Sequence, residues 1–208
     1  MVKKIKRPAG LFPSLPNGMD ETLKRRFDKH KENGQLPLEL KRENITALPF
    51  HDEKLLARWR DYRAGLRYIE PVNGITLMGL VDTILEENGK LIVLDFKTRG
   101  SPLKDHPHYY QDQLNIYNFL LRKNGFATED FAYLLFYSPE DILPSGEFIF
   151  KTQLIKMPIN VANAEELFNK AIKVVQGEIP QKSSNCQYCN WAHAVVETNF
   201  LPPIKTNI

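Results

Sequence analysis

Cysteine is scarce in this sequence, and long apolar runs are absent from it. With two cysteines among 208 residues the chain has no disulfide framework, so we expect an intracellular, cytoplasmic location. The basic start, MVKKIKRPAG, is followed by no apolar stretch, which argues against a signal peptide. A membrane-spanning helix needs about 20 consecutive apolar residues, and no stretch of the sequence approaches that length. We therefore expect no membrane partner.

A strong charge of either sign is also missing. The formal net charge of +3 is mildly basic, so it permits a nucleic-acid partner without requiring one. No internal repeat or low-complexity segment is present either. With 42% hydrophobic and 25% charged residues, the composition is that of a globular protein with a real core. The length predicts one domain with appendages.

The most informative stretch covers residues 76–100, TLMGLVDTILEENGKLIVLDFKTRG, and it predicts a β-hairpin. Its centre, Asn88-Gly89, is the residue pair that a type I′ turn prefers, because both turn positions need a positive φ. The segments on either side are mostly apolar and β-branched, as expected of buried strands. Acidic residues within such strands therefore need an explanation.

The predicted hairpin brings two acids and a lysine to one patch. The turn pairs Glu87 with Lys90, and counting back along both strands then sets Asp82 opposite Asp95. Side chains alternate along a strand, so Lys97 lies on the same face as Asp95. Ionised acids in apolar strands destabilise a fold unless they are paired or bind a metal. An ion pair with Lys97 accounts for only one acid, so we predict a Mg²⁺ or Mn²⁺ site here.

The remaining elements indicate an α+β domain around a small mixed sheet. Residues 1–50 are polar and interrupted by prolines, and they contain one predicted charged helix at residues 20–31. Within that helix, Lys24, Arg25 and Arg26 either contact phosphates or form a solvated face, and the solvated face is favoured. The other predicted elements are a helix from Asp52 to Leu66, a strand from Tyr68 to Val72, the hairpin, a helix from Pro107 to Lys123, strands at 131–137 and 147–156, and a helix that ends at Gln176.

A glutamine lies within the apolar stripe of the predicted helix that follows the hairpin. Tyr110, Gln113 and Tyr117 are spaced at i, i+3 and i+7, which places them on one helix face. A buried glutamine must find hydrogen-bond partners. Gln113 is therefore either a satisfied core residue or a group aimed at the two carboxylates. Its position just after the hairpin favours the second interpretation.

Three motifs, taken in order, resemble those of the PD-(D/E)XK nuclease superfamily, specifically its RecB-like branch. They are Gly79-Leu80-Val81-Asp82, Asp95-Phe96-Lys97 and Tyr110-x-x-Gln113-x-x-x-Tyr117. The branch includes the nuclease domains of bacterial recombination helicases and the CRISPR-associated RecB-like exonucleases. Each motif is weak alone, but three of them on the expected strand, strand and helix make a strong signal.

The resemblance implies a restriction-endonuclease-like core of order αβββαβ and metal-dependent cleavage of a phosphodiester bond. Asp82 and Asp95 are then ligands of one or two Mg²⁺ or Mn²⁺ ions, with the carbonyl group of Phe96 as a further ligand. Lys97 orients or activates the attacking water and helps to stabilise the charge that develops on the phosphate.

The resemblance also implies roles for residues beyond the metal ligands. Gln113 and Tyr117 position the active-site groups or the cleaved strand, and Tyr110, from the same motif, is a candidate for substrate binding. Arg99 follows the second strand of the hairpin. It either clamps a neighbouring phosphate or is an ordinary surface arginine.

The chain departs from the RecB-like pattern in its upstream histidine. Such nucleases usually carry a histidine that contacts the metal, on a helix before the first acid. His51 is the first candidate here and His30 the second, and neither lies in a matching pattern. Asp52 and Glu53 are other possible ligands. An isolated histidine is more often structural or solvated.

The sequence Cys186-x-x-Cys189 is a second departure. Many RecB-like relatives hold an iron–sulfur cluster with four cysteines, but this chain has only two, so we expect no cluster. Zinc bound by Cys186, Cys189 and His193 is conceivable but lacks a fourth local ligand. A reduced cysteine pair that packs with Tyr188 and Trp191 is the preferred interpretation.

The chain is expected to divide into three regions. We predict an N-terminal polar and helical extension at residues 1–50, a nuclease core at 51–180, and a C-terminal tail at 181–208 that packs on the core. The core holds all three motifs.

The resulting functional prediction is a Mg²⁺- or Mn²⁺-dependent DNA nuclease, acting as an exonuclease in DNA repair, recombination or defence. Its partners are single- or double-stranded DNA and proteins of a repair or defence complex. The alternative is a catalytically silent module that binds nucleic acid or a protein partner, and a nuclease directed at RNA is a third possibility. The intact Asp82, Asp95 and Lys97 favour activity, whereas the unmatched histidine favours the silent module.

Overall fold

A computed structural model describes residues 14–178, 180–181 and 183–190 of the chain. Within them the helices are α1 (Ser14–Glu32), α2 (Leu38–Arg42), α3 (Glu53–Arg60), α4 (Gln111–Lys123) and α5 (Val161–Gln176). The strands are β1 (Leu48–Pro49), β2 (Leu66–Ile69), β3 (Thr76–Gly79), β4 (Thr83–Glu87), β5 (Lys90–Thr98), β6 (Phe131–Ile142) and β7 (Phe148–Pro158). A short 3-10 helix, His108–Tyr110, precedes α4.

A five-stranded mixed sheet forms the centre of the fold. Its strand order is β1-β4-β5-β6-β7, and β2 and β3 pair separately as a two-stranded sheet. Neighbouring strands of the larger sheet are antiparallel except for β5 and β6, which are parallel. Parallel neighbours need a crossover connection, and α4 lies in the segment that supplies it. The predicted α+β class with a small mixed sheet flanked by helices is confirmed.

Helices α1 and α2 cover one face of the sheet. Their buried apolar side chains form a cluster with alternate residues of β4, β5 and β6. Phe27 of α1 lies against Phe96 of β5, with the ring centroids 4.6 Å apart. The face that carries Leu94 and Phe96 is therefore the apolar one, and the residues between them in sequence must point to the other side.

Helix α4 lies against that other face. Seven of its thirteen residues are buried, among them Leu114 and Leu120, which are fully inaccessible. Tyr110, just before the helix, lies 6.0 Å from Phe136 of β6, measured between ring centroids. This helix therefore faces the side of β5 to which Asp95 and Lys97 point.

The turn of the predicted hairpin is confirmed, and so is its register. Asn88 and Gly89 have φ values of 51° and 76°, as a type I′ turn requires. Glu87 pairs with Lys90, and the ladder continues back to Thr83 opposite Leu94. The sequence rule for the turn thus fixes the alignment of β4 and β5.

The first strand of the predicted hairpin is wrong in one respect, because residues 76–87 form two strands. β3 pairs with β2 in the small sheet, whereas β4 pairs with β5 in the large one. Residues 80–82 leave the extended ladder between them. β3 ends at Gly79, which lies so close to the ring of Tyr117 that a Cβ atom there would come within 2.8 Å of Cε1.

Two helix boundaries also differ from the sequence prediction. Asp52 caps α3 as expected, since its Oδ1 accepts the backbone N–H of Leu55 at 2.9 Å. The helix ends at Arg60, however, rather than at Leu66. Gly65 has a φ of 61°, a left-handed conformation that turns the chain into β2. At the next helix, the 3-10 turn delays the start of α4 to Gln111.

The chain divides into two compact units, residues 1–169 and 170–208. The first holds both sheets and the helices described above as far as Asn169 of α5. In the second, residues 187–190 form one helical turn, and the backbone N–H of Cys189 points to Sγ of Cys186 at 3.4 Å. Across the described residues, no helix has the length and apolarity needed to cross a membrane.

Candidate active site

Two carboxylates lie side by side at the junction of β4 and β5. Asp82 precedes the first residue of β4, and Asp95 lies within β5 and is 1% exposed. Oδ2 of Asp82 accepts the backbone N–H of Phe96 at 2.8 Å, which fixes the carboxylate next to Asp95. The predicted convergence of the two acids is thus present in the structure.

Lys97 is held against Asp95 by three contacts. Its Nζ forms an ion pair with Oδ2 of Asp95 and donates a hydrogen bond to Oε1 of Gln113 at 3.1 Å. The same ammonium group lies 4.6 Å from the ring centroid of Tyr110, at cation–π distance. The lysine is therefore oriented by groups on both β5 and α4.

Gln113 links Asp95, Lys97 and Tyr117. Its Nε2 lies 3.4 Å from Oδ1 of Asp95 and donates to the hydroxyl of Tyr117 at 2.7 Å, while its Oε1 accepts from Lys97. The structure thus brings together the residues of all three motifs. Their catalytic roles remain predictions.

The surroundings of Asp95 oppose its ionisation. Burial, and then the negative charge of Asp82, raise the pKa of Asp95 to about 7, although Lys97 acts in the other direction. Burial also raises the pKa of Tyr117, so its hydroxyl stays protonated at neutral pH. A buried acid with a perturbed pKa beside a second carboxylate is typical of a site that binds a cation or performs chemistry.

The donor set fits Mg²⁺ or Mn²⁺. Magnesium is usually bound by one or two carboxylates, with water and substrate phosphate completing an octahedral shell. Asp82 and Asp95 supply two hard oxygen donors, and the carbonyl group of Phe96 is a candidate for a third. Within the described part of the chain no group of three or more histidine, cysteine, aspartate or glutamate side chains could hold a metal ion.

Two residues that the sequence interpretation did not place at the site contact Asp82. Nζ of Lys24, on α1, lies 2.9 Å from Oδ1 of Asp82. Arg60, at the end of α3, donates from Nε to the backbone carbonyl of Asp82 at 2.6 Å and also binds Asp28. Both contacts join residues far apart in sequence, so no local spacing could reveal them.

The basic run on α1 is only in part the solvated face favoured from the sequence. Arg25 is exposed, with 66% of its side chain accessible. Lys24 reaches Asp82 instead, and Arg26 makes two hydrogen bonds to the buried carboxylate of Glu39, which also accepts from the hydroxyl of Tyr137. Neighbouring residues of the charge run therefore differ: Arg25 is solvated, whereas Lys24 and Arg26 bind carboxylates. Tertiary packing decides which of them do so.

The first upstream metal-ligand candidate, His51, pairs with another carboxylate. His51 is 78% exposed, and its Nδ1 lies 2.8 Å from Oε2 of Glu86. The β1–β4 pairing sets Pro49 opposite Leu85, and the backbone N–H of Phe50 then donates to the carbonyl of Ile84. The backbone of His51 therefore lies near the start of β4, while its side chain turns to Glu86. The assignment of His51 as a metal ligand stays a prediction.

The other upstream candidates are engaged elsewhere. Asp52 caps α3, and Glu53 pairs with Lys31 at 3.9 Å. His30 lines a surface cleft with Arg25 and Lys29, away from the carboxylates.

Arg99 lies two residues after Lys97, directly beyond the end of β5. Its Nη1 lies 2.5 Å from the hydroxyl of Tyr109, and its Nε faces the carbonyl oxygen of Ser101. Its guanidinium is therefore held at the rim of the site, and its contact with a phosphate remains a prediction.

The cysteine pair lies in the second unit of the chain. Cys186 and Cys189 are not joined by a disulfide. The further zinc candidate His193 and the packing partner Trp191 lie outside the described residues. Zinc, a reduced pair and the packing of the tail at 181–208 all remain predictions, as do the region boundaries at residues 50 and 180.

Comparison with known proteins identifies the class. The family model of the PD-(D/E)XK nuclease superfamily matches residues 12–194. The chain therefore belongs to the PD-(D/E)XK nuclease superfamily, whose members are generally phosphodiester-cleaving nucleases that use Mg²⁺ or Mn²⁺. The match includes α1, and hence Lys24, together with the three motifs.

Among solved structures, the crystal structure of SSO0001 is similar to this chain. The TM-score is 0.44 at 18% sequence identity, covering 88% of this chain and 70% of the other. The comparison with curated proteins finds no significant match.

Proposed function

We propose that this protein is a divalent-metal-dependent DNA nuclease whose active site is formed by Asp82, Asp95 and Lys97. The observation that carries the proposal is the contact among all three motifs: Gln113 touches Asp95, Lys97 and Tyr117, and the carboxylate of Asp82 accepts the backbone N–H of Phe96. Polar groups from two strands and a helix meet at one buried point, where an apolar core would be more stable. A catalytic site explains why the fold keeps these polar groups despite the loss of stability.

In the proposed mechanism Asp82 and Asp95, together with the carbonyl group of Phe96, would hold one or two Mg²⁺ or Mn²⁺ ions. Such an ion would lower the pKa of its water and neutralise charge on the phosphate. Lys97, already oriented by Gln113, donates a hydrogen bond to the attacking water or to a phosphate oxygen. The remaining roles belong to the residues around this centre.

Gln113 and Tyr117 act by fixing the position of Lys97 and Asp95. Tyr110 covers the ammonium group of Lys97 with its ring and contacts substrate at the site entrance. Arg99, held by Tyr109 at the rim, binds a phosphate next to the cleaved one. This arrangement gives the substrate strand a cationic approach to the two acids.

We further propose the RecB-like branch, with exonuclease action on DNA in repair, recombination or defence, inside the cell and alongside protein partners. The support is the order and spacing of the motifs, including Tyr110-x-x-Gln113-x-x-x-Tyr117 after the acid-x-lysine strand. The likeness to CRISPR-associated exonucleases rests on the same motifs.

A silent nucleic-acid-binding module is the second candidate, and one observation favours it. Each carboxylate already has a lysine partner, Lys24 for Asp82 and Lys97 for Asp95. The two acids and the two lysines neutralise one another, so their charges are balanced without a metal ion.

Cleavage assays separate the two candidates. End-labelled single- and double-stranded DNA is incubated with the full chain in Mg²⁺, Mn²⁺ or EDTA, beside Asp95→Ala and Asp130→Ala. Asp130 carries an exposed carboxylate, 86% accessible, and serves as the matched control. We expect metal-dependent cleavage that Asp95→Ala abolishes and Asp130→Ala retains, with the product ladder reporting endo- or exonuclease action. Absence of cleavage of both DNA and RNA in either metal supports the silent module instead.

A further inference from the structure

Lys24 neutralises one half of the proposed metal site from a different helix. Its Nζ lies 2.9 Å from Oδ1 of Asp82 and 2.7 Å from Oδ2 of Asp20, one turn earlier on α1. The contact is sheltered, since 24% of the Lys24 side chain and 14% of the Asp82 side chain are exposed. The ion pair therefore differs from an ordinary surface pair, which solvent and salt screen.

The two oxygens of Asp82 have different partners. Oδ2 accepts the backbone N–H of Phe96, a contact fixed by the strand, whereas Oδ1 faces the flexible side chain of Lys24. A divalent ion shared with Asp95 must take a lone pair from Asp82, and it must do so beside the ammonium group. Two cations on one carboxylate repel each other strongly when water is partly excluded.

The alternative partner of Lys24 is already in place. Asp20 lies at i−4 on the same helix, in the spacing that favours an ion pair. Lys24 can therefore leave Asp82 by a change of side-chain torsions alone and keep a carboxylate partner. No movement of the helix is needed.

We propose that Lys24 is a positioning residue that competes with the divalent ion for Asp82. It holds the carboxylate next to Asp95 before the metal binds, and it shifts to Asp20 when the metal arrives. The inference rests on the proposed function, because it requires that Asp82 and Asp95 bind a divalent ion. Under this proposal α1, which lies outside the three motifs, controls the affinity of the site for the metal ion.

Calorimetric titration of the metal-free full chain with MnCl₂ tests the proposal without any measurement of cleavage. The variant is Lys24→Met, which keeps the length of the side chain and removes its charge. The matched control is Lys29→Met, an exposed lysine on the same helix. We expect Lys24→Met to bind Mn²⁺ about tenfold more tightly than the wild type, because the competing charge is gone. Lys29→Met should match the wild type.

A second variant predicts a change in the opposite direction. Asp20→Asn removes the carboxylate that receives Lys24, so we expect Mn²⁺ binding several-fold weaker than in the wild type. Glu21→Gln, at a side chain that is 73% exposed, is its control and should have no effect. Asp20→Asn and its control Glu21→Gln also test the competition if Lys24→Met fails to fold.

The outcomes distinguish this inference from the proposed function. If the wild type binds Mn²⁺ and Lys24→Met and Asp20→Asn bind it like their controls, the competition is overturned while the metal site stands. If the wild type binds no Mn²⁺ at all, the metal site itself is overturned, and the competition with it.

Discussion

Lys97 on β5 donates a hydrogen bond to Gln113 on α4 across a gap of sixteen residues in sequence. The bond joins the strand that carries the buried acid to the helix that covers it. Because Gln113 also contacts Asp95, the position of the lysine relative to the carboxylate depends on how α4 packs on the sheet. The four predictions below test this arrangement and its surroundings.

Replacing Gln113 with leucine should slow DNA cleavage more than it weakens the fold. The leucine keeps the apolar contacts of α4 but releases Lys97 and Tyr117, so we expect a rate about 10- to 100-fold lower from misplaced catalytic groups. Single-turnover cleavage and urea unfolding measure the two effects. The control is Gln111→Leu on the same helix, which removes bonds to Asn115 and Pro158 and should cost stability without changing the rate. Equal rates for both variants would contradict the role of Gln113.

Asp95→Asn should stabilise the metal-free protein at neutral pH and lose that advantage in acid. The pKa of Asp95 is raised from its ordinary 3.8 to about 7. Between these values the folded chain holds a proton that the unfolded chain has released, so the free energy of unfolding falls as pH rises. The variant lacks this group, and its stability relative to the wild type should therefore increase from about pH 4 to pH 7 and then level off.

Urea unfolding in EDTA across this pH range measures the difference. Asp130→Asn is the control, because its exposed carboxyl has a pKa lowered by the hydrogen bond from Arg122 and gives no such rise. Parallel stability curves for the wild type and Asp95→Asn would show that Asp95 titrates normally. Added Mg²⁺ should favour the wild type over Asp95→Asn.

Gly79→Ala should disturb the site through Tyr117. A Cβ atom at Gly79 would lie 2.8 Å from Cε1 and 2.9 Å from Cδ1 of the tyrosine ring, too close for either group to stay in place. We expect a loss of about 1–3 kcal/mol in the free energy of unfolding, together with slower cleavage, because Tyr117 holds Gln113.

Gly18→Ala is the control for this prediction. It lies within α1 with open space around its Cα, and should stabilise the protein by about 0.5–1 kcal/mol. Thermal unfolding of the two variants shows opposite shifts if the contact with Tyr117 matters. A Gly79→Ala protein as stable as the wild type would mean that the tyrosine moves aside freely.

His51→Ala should leave both metal binding and cleavage nearly unchanged. The histidine side chain is exposed and pairs with Glu86, and such exposed pairs contribute little, so we expect rates and Mn²⁺ affinity within about twofold of the wild type. Asp82→Ala, measured in parallel, should lose both. A large loss in His51→Ala would show that the histidine leaves Glu86 and contributes to the metal site.

The local rules of sequence predicted the centre of the site well. Asn88-Gly89 set the turn, the turn set the register, and strand alternation then placed Asp95 and Lys97 on one face next to Asp82. Each step depends on neighbours in the chain, which is why it could be predicted from the order of residues. The helix after the hairpin followed in the same way from its apolar stripe.

Several contacts of Asp82 and His51 with distant elements could not be predicted in this way. Lys24 and Arg60 reach Asp82 across 58 and 22 residues. The residues around a charged side chain on a helix do not indicate which distant group it will contact. The contact of His51 with Glu86 is of the same kind, since the two residues lie 35 positions apart in sequence.

The sequence by itself determined which groups form the acid–acid–lysine patch, since turn geometry and the two-residue period of a strand act locally. Only the tertiary structure decided what surrounds that patch. The packing of α1 and α4 on opposite faces of the sheet brought Lys24 to Asp82 and Gln113 to Asp95. Those distances depend on the burial of apolar faces from separate elements, which is a property of the whole fold.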